Sequence, residues 1–261
     1  MEKLYVIKIG GNIVDDSQKL SAFLRHFAQL QGYKILVHGG GKEATRLASA
    51  MNIPQQMVDG RRITDEATLK VVTMVYAGLI NKNIVATLQS AGCNAIGITG
   101  ADANTILAHK RETGNIDYGF AGDVDEVNTR FLQSLLQQGL SPVIAPITHN
   151  GKGQLLNTNA DTIAQEIARA MSAAYAVHLV YSFEKSGVLL DAANNDSVIP
   201  KITPAYYQEL KEKQVIFAGM IPKLDNAFKA LGDGVKNVII GEAEELPALL
   251  SGQRGTTLMH E

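Results

Sequence analysis

Short runs of β-branched residues alternate along the chain with stretches whose apolar positions recur every three to four residues. YVIKI (5–9) precedes a helical stretch from about Ser17 to Gln31, and KILVH (34–38) precedes another from about Lys42 to Met51. Such alternation is the mark of βαβ units and predicts a mostly parallel sheet with helices on both faces. A longer helical pattern starts at Thr64, read as an N-cap with Asp65 and Glu66 in the first turn, and runs to about Ser90. Val71, Val75 and Leu79 mark its apolar face. From Asn94 to about Asp125 the pattern breaks into NAIGIT and ILAHK, interrupted by glycine, asparagine and aspartate, which reads as hairpins inserted at one edge.

Further along, the pattern predicts a helix over about Asn128–Gln138, a buried strand PVIAPI (142–147), a turn at His149–Gly153, a strand QLLN (154–157) and a helix from Asn159 to Met171. AYAVHLVYS (174–182) opens a second half. Thr203-Pro204 is a helix start, with threonine as cap and proline at the first helical position. Another helix follows Pro222, then a strand NVIIG (237–241) and a final GTTLM. No low-complexity linker separates the halves, so the boundary is set near residue 173, giving lobes 1–173 and 174–261.

Composition narrows the function classes. With 24 lysines and arginines against 26 acids, the chain has no electrostatic footprint for nucleic acid or an anionic membrane. The single cysteine, Cys93, cannot close an internal disulfide, and MEKLYVIKIGG has neither a signal-peptide core nor a basic transit segment. No apolar run looks close to the roughly 20 residues of a spanning helix. A soluble, cytoplasmic protein with small-molecule partners is expected.

A few residues are costly unless they do chemistry. Lys8 sits near the end of an apolar strand, where an unpaired ammonium costs several kcal/mol of desolvation; a solvated edge strand is the alternative. Gly10 and Gly11 follow it and let backbone N–H groups crowd around an oxyanion. Lys223, one residue after Pro222, falls in the first turn of a helix, where the macrodipole disfavours a cation. Either a bound anion or the nearby Asp225 would offset it. Asp161 opens an apolar-faced helix after Asn157-Thr158-Asn159-Ala160, a position that the helix dipole alone would explain. Arg62, in GRRIT, is either a salt-bridging loop residue or a clamp for a substrate carboxylate. ILVHGGGKEATR (35–46) runs from a strand through three glycines into a helix, but lacks the serine or threonine that would make it a P-loop. The histidines show no metal-ligand spacing, and His38 and His178 read as satisfied core residues.

Taken in order, a strand with lysine and two glycines, HGGG opening a helix, an arginine before a long helix, NTNAD and a late GMIPK span residues 8 to 223. In that order and spacing the chain resembles the amino-acid kinase family over essentially its whole length. The resemblance implies a three-layer αβα sandwich around a mainly parallel sheet. It also implies transfer of the ATP γ-phosphoryl to the side-chain carboxylate of an N-acylated glutamate in arginine biosynthesis, with acetyl as the default acyl group and succinyl left open. A nucleotide or amino-acid sensor without turnover is the alternative on the same fold.

Carried over by position, Lys8 and Lys223 resemble the cations that stabilise the phosphoryl group in flight, and Asp161 the carboxylate that orients both. Gly10 and Gly11 match glycines whose amides approach the phosphates, and Gly40 and Gly41 those on the acyl-glutamate side. That leaves Lys42 as the first residue of a solvent-facing helix. Arg62 and Asn157 resemble the pair gripping the α-carboxylate and amide. ATP is expected over the second lobe, near Ser182, Gly187, Leu189, Val215, Ile216 and Phe217, with Mg²⁺ held by its phosphates and water rather than by a protein metal site. The chain departs from the family pattern at SFEKSG (182–187), which lacks an aspartate and is one residue longer, and at VIFAG (215–219). Since the sequence opens directly on its first strand, the resemblance implies an arginine-insensitive homodimer, with dimerisation and acyl-glutamate binding in the first lobe.

Overall fold

The chain begins with β1 (Lys3–Ile9), α1 (Gly11–Val14), α2 (Ser17–Gln29), β2 (Tyr33–His38), α3 (Gly41–Ala50), β3 (Gln56–Val58) and β4 (Arg61–Ile63). Next come α4 (Glu66–Thr73), a π-helical stretch (Met74–Ile80), α5 (Asn81–Ser90), β5 (Ala95–Ile98), β6 (Ile106–Lys110), β7 (Ala121–Val127) and α6 (Thr129–Gln137). They lead to β8 (Ser141–Ile144), β9 (Ile147–His149), β10 (Leu155–Thr158), α7 (Ala160–Met171) and β11 (Ala176–Phe183). The last are β12 (Lys201–Ile202), α8 (Pro204–Glu212), α9 (Ile221–Gly232), β13 (Asn237–Glu242), α10 (Leu246–Leu250) and β14 (Thr256–Leu258). This computed structural model describes residues 1–58, 61–112, 114, 116–191, 193–213, 215–216 and 220–260.

Eight strands form one sheet in the order β12-β14-β13-β11-β1-β2-β8-β5. The run from β13 to β5 is parallel throughout, and β14 pairs antiparallel with β13. Successive strand side chains alternate between faces. Leu4 and Val6 of β1 therefore pack with α6, α7, α8 and α9, whereas Ile7 and Ile9 pack with α2, α3, α4, α5 and α10. The result is three layers with a core on each side of the sheet. The same alternation puts Lys8 on the α7 face, beside Leu4 and Val6. A second, smaller unit closes β10, β7, β6 and β9 into a four-stranded barrel.

Several expectations need correction. The helix after GRRIT is capped by Asp65, whose Oδ1 accepts from Thr68 N at 2.7 Å; Thr64 is buried and its hydroxyl is engaged elsewhere, donating to Arg62 O at 3.2 Å. Leu79 is 47% exposed, although Val71 and Val75 are buried as expected. The π-helical stretch is the reason: its wider turn advances the register by one residue, so the buried face passes to Tyr76, Ile80, Ile84 and Leu88. NAIGIT is no hairpin but β5, the last strand of the main sheet, and ILAHK joins the barrel. PVIAPI is two strands, β8 and β9, which belong to different sheets.

One helical run does reach membrane-spanning length. Glu66–Ser90 is 25 residues long and apolar enough to pass by composition, contrary to the expectation above. Its apolar stripe is consumed by the core: Val71, Val72, Val75, Tyr76, Ile80, Ile84 and Leu88 all pack into the cluster around Phe23 and Phe27. Burial in a core accounts for the apolar composition here.

Candidate active site

In parallel sheets the carboxyl ends of the strands leave a crevice where ligands bind. Here the ends of β1, β2 and β11 open onto a cavity of about 820 Å³. It is lined by Lys8, Gly10 and Gly11 after β1, Gly39 to Lys42 and Thr45 after β2, Phe183 and Glu184 at the end of β11, and Lys223 at the start of α9. Arg61 and Arg62 of β4, Arg111, Asn157 and Asp161 complete the wall. Among the described lining residues Lys8, Lys42, Arg46, Arg61, Arg62, Arg111 and Lys223 face only two acids, Asp161 and Glu184. That imbalance suits a polyanion.

Lys8 is flanked in the sheet by Val37 and Tyr181, so the edge-strand reading does not hold. Its ammonium meets Asp161 Oδ1 at 2.8 Å, with the lysine side chain 16% and the aspartate 40% exposed. Asp161 reaches it because Asn159 caps α7, accepting from Thr162 N at 3.1 Å, and sets the carboxylate in the first turn. Tyr181 OH donates to Asp161 O at 3.4 Å; burial above all, then Asp161 and Glu166, pushes its phenol pKa up. Lys223 differs: it is exposed, with its Nζ 5.1 Å from the centre of the Phe183 ring. Asp225 does not offset it, being engaged by Tyr207 OH at 2.8 Å and Lys211 Nζ at 3.4 Å.

The glycines abut one another. A Cβ on Gly11 would lie 3.9 Å from Gly41 N and 4.0 Å from Gly40 N. Gly11 and Gly41 are the first residues of α1 and α3, whose first-turn N–H groups have no acceptor within the helix. Gly10 N–H donates instead to Ser182 O at 3.0 Å, so its contribution to the wall is the absence of a side chain. Gly40 has φ +150°, and a Cβ there would come within 2.2 Å of Ile80 Cδ1 and 3.2 Å of the Tyr76 ring. The π-helical stretch thus packs against the one glycine that closes the loop.

His38 ends β2 directly under this loop and is fully buried. Its Nδ1 lies 2.8 Å from Gly39 O, which requires the proton on Nδ1, and leaves Nε2 to accept from Asn81 Nδ2 at 3.2 Å. Burial pushes its pKa down to about 4, so the ring is neutral at pH 7. His178 is likewise satisfied, by Asn237 Oδ1 at 2.8 Å.

Arg62 is held by protein acceptors. It donates to Gln55 Oε1, to Gly41 O at 2.9 Å and to Thr45 Oγ1 at 2.9 Å, tying β4 to the start of α3. Asn157 Nδ2 donates to Thr64 Oγ1 at 3.0 Å. Both line the cavity.

The residues expected around a nucleotide are less gathered. Ser182 is buried, its Oγ without a partner among the described residues. Gly187 packs on Thr256 and Val198, Leu189 bridges Val198, and Ile216 is buried in the core with Val215 packed against it. Phe217 lies outside the described residues. The cavity wall carries Phe183 and Glu184 of SFEKSG instead. Sequence reasoning also passed over Arg46, Arg61, Arg111 and Tyr76, and took Lys42 for a solvent-facing residue only; it is exposed but lines the cavity. Arg61 was visible in the RR doublet of GRRIT; Arg111 had no local signal. Among the described residues no group of three or more His, Cys, Asp or Glu could hold a metal ion.

Comparison with known proteins agrees with this architecture. Residues 3–242 match the model of the amino acid kinase family. The chain is 58% identical to an acetylglutamate kinase of Cytophaga hutchinsonii, covering 99% of each, and 57% identical to one of Phocaeicola vulgatus, covering 92% and 93%. Among solved structures, an N-acetylglutamate synthase of Neisseria gonorrhoeae superposes with a TM-score of 0.83 at 21% identity, over all of this chain and 60% of that one. A Giardia carbamate kinase superposes with a TM-score of 0.73 at 12% identity, over 100% and 99%. At such identities these two likenesses speak for the fold alone.

Proposed function

The chain belongs to the amino acid kinase family, and from that premise we propose that it transfers the γ-phosphoryl of ATP to the side-chain carboxylate of N-acetyl-L-glutamate, the acyl-phosphate-forming kinase step of arginine biosynthesis. The products are N-acetyl-L-glutamyl 5-phosphate and ADP. Similarity to acetylglutamate kinases over 99% of the chain supports the substrate. The observation that carries the mechanism is the Lys8–Asp161 pair, 2.8 Å long, set at the glycine turns of a cavity rich in cations.

The acceptor carboxylate is already ionised at pH 7, so no general base is needed. The barrier lies in bringing two anions together. Lys8 and Lys223 stabilise the charge on the phosphoryl group in flight, and Asp161 fixes Lys8 in place. Gly11, Gly40 and Gly41 line the path with backbone that can approach closely, and Gly10 keeps the turn free of a side chain. Arg62 and Asn157 hold the α-carboxylate and amide; Arg62 also anchors Gly41, which links substrate binding to loop geometry. The nucleotide lies on the side of residues 174–261, with Phe183, Glu184 and the SFEKSG turn nearest the cavity and Ser182, Gly187, Leu189, Val215 and Ile216 as its outer wall. Acyl-glutamate binding belongs to residues 1–173.

The donor set fits Mg²⁺ held chiefly by phosphate oxygens and water, since among the described residues two carboxylates line the cavity. Bound there, it would neutralise charge on the β- and γ-phosphates. A homodimer contact through the first lobe is supported by exposed Met51 and Met74, which border one apolar cavity; a monomeric mass by sedimentation would overturn it.

The deciding experiment is hydroxylamine trapping. With ATP, Mg²⁺ and N-acetyl-L-glutamate the enzyme yields a hydroxamate; ADP release without hydroxamate would sink the acyl-phosphate reading.

A further inference from the structure

Gly40 lines the cavity, and its N–H meets no protein acceptor among the described residues. The direction of that N–H is set by the carbonyl of the same peptide unit, because C=O and N–H point opposite ways across a trans peptide, and among the described residues no peptide is cis. Gly39 O is held at 2.8 Å by His38 Nδ1, in the core beneath the loop. Gly40 N–H is thereby turned outward, toward the gap between the two glycine turns, where a Cβ on Gly11 would lie 4.0 Å from Gly40 N. A Gly39 carbonyl released by His38 is free to swing round, and would then point an oxygen at the incoming phosphates.

His38 holds that carbonyl only while Nδ1 carries the proton, and Asn81 enforces it. Asn81, at the start of α5 and 1% exposed, gives its amide hydrogens to Val143 O at 3.0 Å and to His38 Nε2 at 3.2 Å. Its Oδ1 accepts from Lys82 Nζ at 3.1 Å, and Lys82 also donates to Gly97 O at 2.7 Å. A flipped amide would face Val143 O with an oxygen and the Lys82 ammonium with hydrogens, so the orientation is fixed from both sides. Nε2 must accept, and Nδ1 must donate. The sequence makes room for this arrangement: a Cβ on Gly97 of β5 would overlap Asn81 Oδ1 and come within 2.9 Å of Lys82 Nζ. His38, Asn81 and Gly97 all stand behind the cavity wall rather than in it.

We propose that Asn81 is a positioning residue for phosphoryl transfer: it dictates the His38 tautomer, which pins Gly39 O inward and presents Gly40 N–H to the phosphoryl group in flight, and Gly97 clears the space it needs. This rests on the phosphoryl-transfer reading above and adds the reason why the loop amide is aimed before substrate arrives. A donor already aimed costs no reorganisation in the transition state. Loss of Asn81 should therefore fall on kcat rather than on ATP binding.

The tautomer is read first, from the nitrogen chemical shifts of the histidine rings, with His38→Gln to assign the resonances. Wild type should show a protonated Nδ1 and a bare Nε2 at His38; the reverse overturns the inference whatever the turnover. Asn81→Leu, checked for folding by its thermal midpoint, should lower kcat for hydroxamate formation about thirtyfold, less than the roughly hundredfold lost with an oxyanion donor itself, and leave KM for ATP within about twofold. Because Asn81 acts through His38, the double variant Asn81→Leu/His38→Gln should lose no more than the worse single one. Full kcat in folded Asn81→Leu, a loss confined to KM, or losses that multiply in the double variant would each overturn the inference. If Asn81→Leu does not fold, Gly97→Ala, which drives the amide out of place, carries the same expectations. Hydroxamate from wild type together with any of those outcomes leaves the kinase reading intact; no hydroxamate from wild type overturns both.

Discussion

The end of β1 and the start of α9 each contribute a lysine to the same cavity, and they do so in opposite ways. Lys8 is nearly enclosed and locked to Asp161 at 2.8 Å. Lys223 is exposed and lies over Phe183, on a helix whose N-cap residue, Met220, makes no side-chain cap bond. A charge fixed by the core can be aimed before substrate arrives, and costs no reorganisation during transfer. A charge at an uncapped helix start is free to follow the group being moved. On the proposed reading, one lysine defines the site and the other serves it.

The largest expected effect comes from removing the fixed charge. Lys8→Met should lower kcat about a thousandfold, about 4 kcal/mol of barrier, and also shift the thermal midpoint, because Asp161 loses its partner. Lys223→Met should lower kcat about a hundredfold, about 2.7 kcal/mol, with the midpoint unmoved. If the two variants match in both rate and melting, the contrast between them is false.

A pH series probes the fixed side by another route. His38 has a folded-state pKa of about 4 against an ordinary 6.5, so the unfolded chain binds more protons between those values. Stability is then full above pH 6.5 and falls as pH drops towards 4, by on the order of 2 kcal/mol between pH 7 and pH 5. Urea midpoints should show that slope in wild type and a flatter one in His38→Gln. Identical slopes would mean that the loop beneath the glycines is not held by a neutral ring. The smallest effect concerns helix starts: Asp65→Ala should cost about 1 kcal/mol by the same measurement, a stabilisation that the α9 start lacks.

How much of this was readable in the residues follows the same divide. The parallel sheet and its layers were legible because β1, β2 and β11 are apolar runs followed by helical periodicity. Lys8 stood out because an ammonium in such a run needs an explanation. Its partner could be suspected from NTNAD, where a cap fixes a carboxylate one turn in. Tertiary pairing hid the rest. The barrel joins β6, β7, β9 and β10, whose order no local pattern reveals, and so Arg111 reached the cavity unseen. The π-helical turn that swings Leu79 outward packs against Gly40 through Ile80 and Tyr76, a contact distant in sequence that MVYAGLI alone does not announce. Thr64 lost its capping role to Asp65 because Asn157, far along the chain, claims its hydroxyl.

The position of β1 at the middle of the sheet also bears on how the chain folds. Its partner β2 follows at once, but β11, which covers its other edge in the register Lys3↔Ala176 to Ile9↔Ser182, is synthesised much later. At ordinary translation speeds of about 5 to 20 residues per second, that edge waits on the order of 10 to 30 seconds. During that interval the nascent lobe carries an open, apolar strand edge next to a half-built cation pocket. Refolding is expected to be slow and concentration-sensitive, with the pairing of β1 and β11 as the late step.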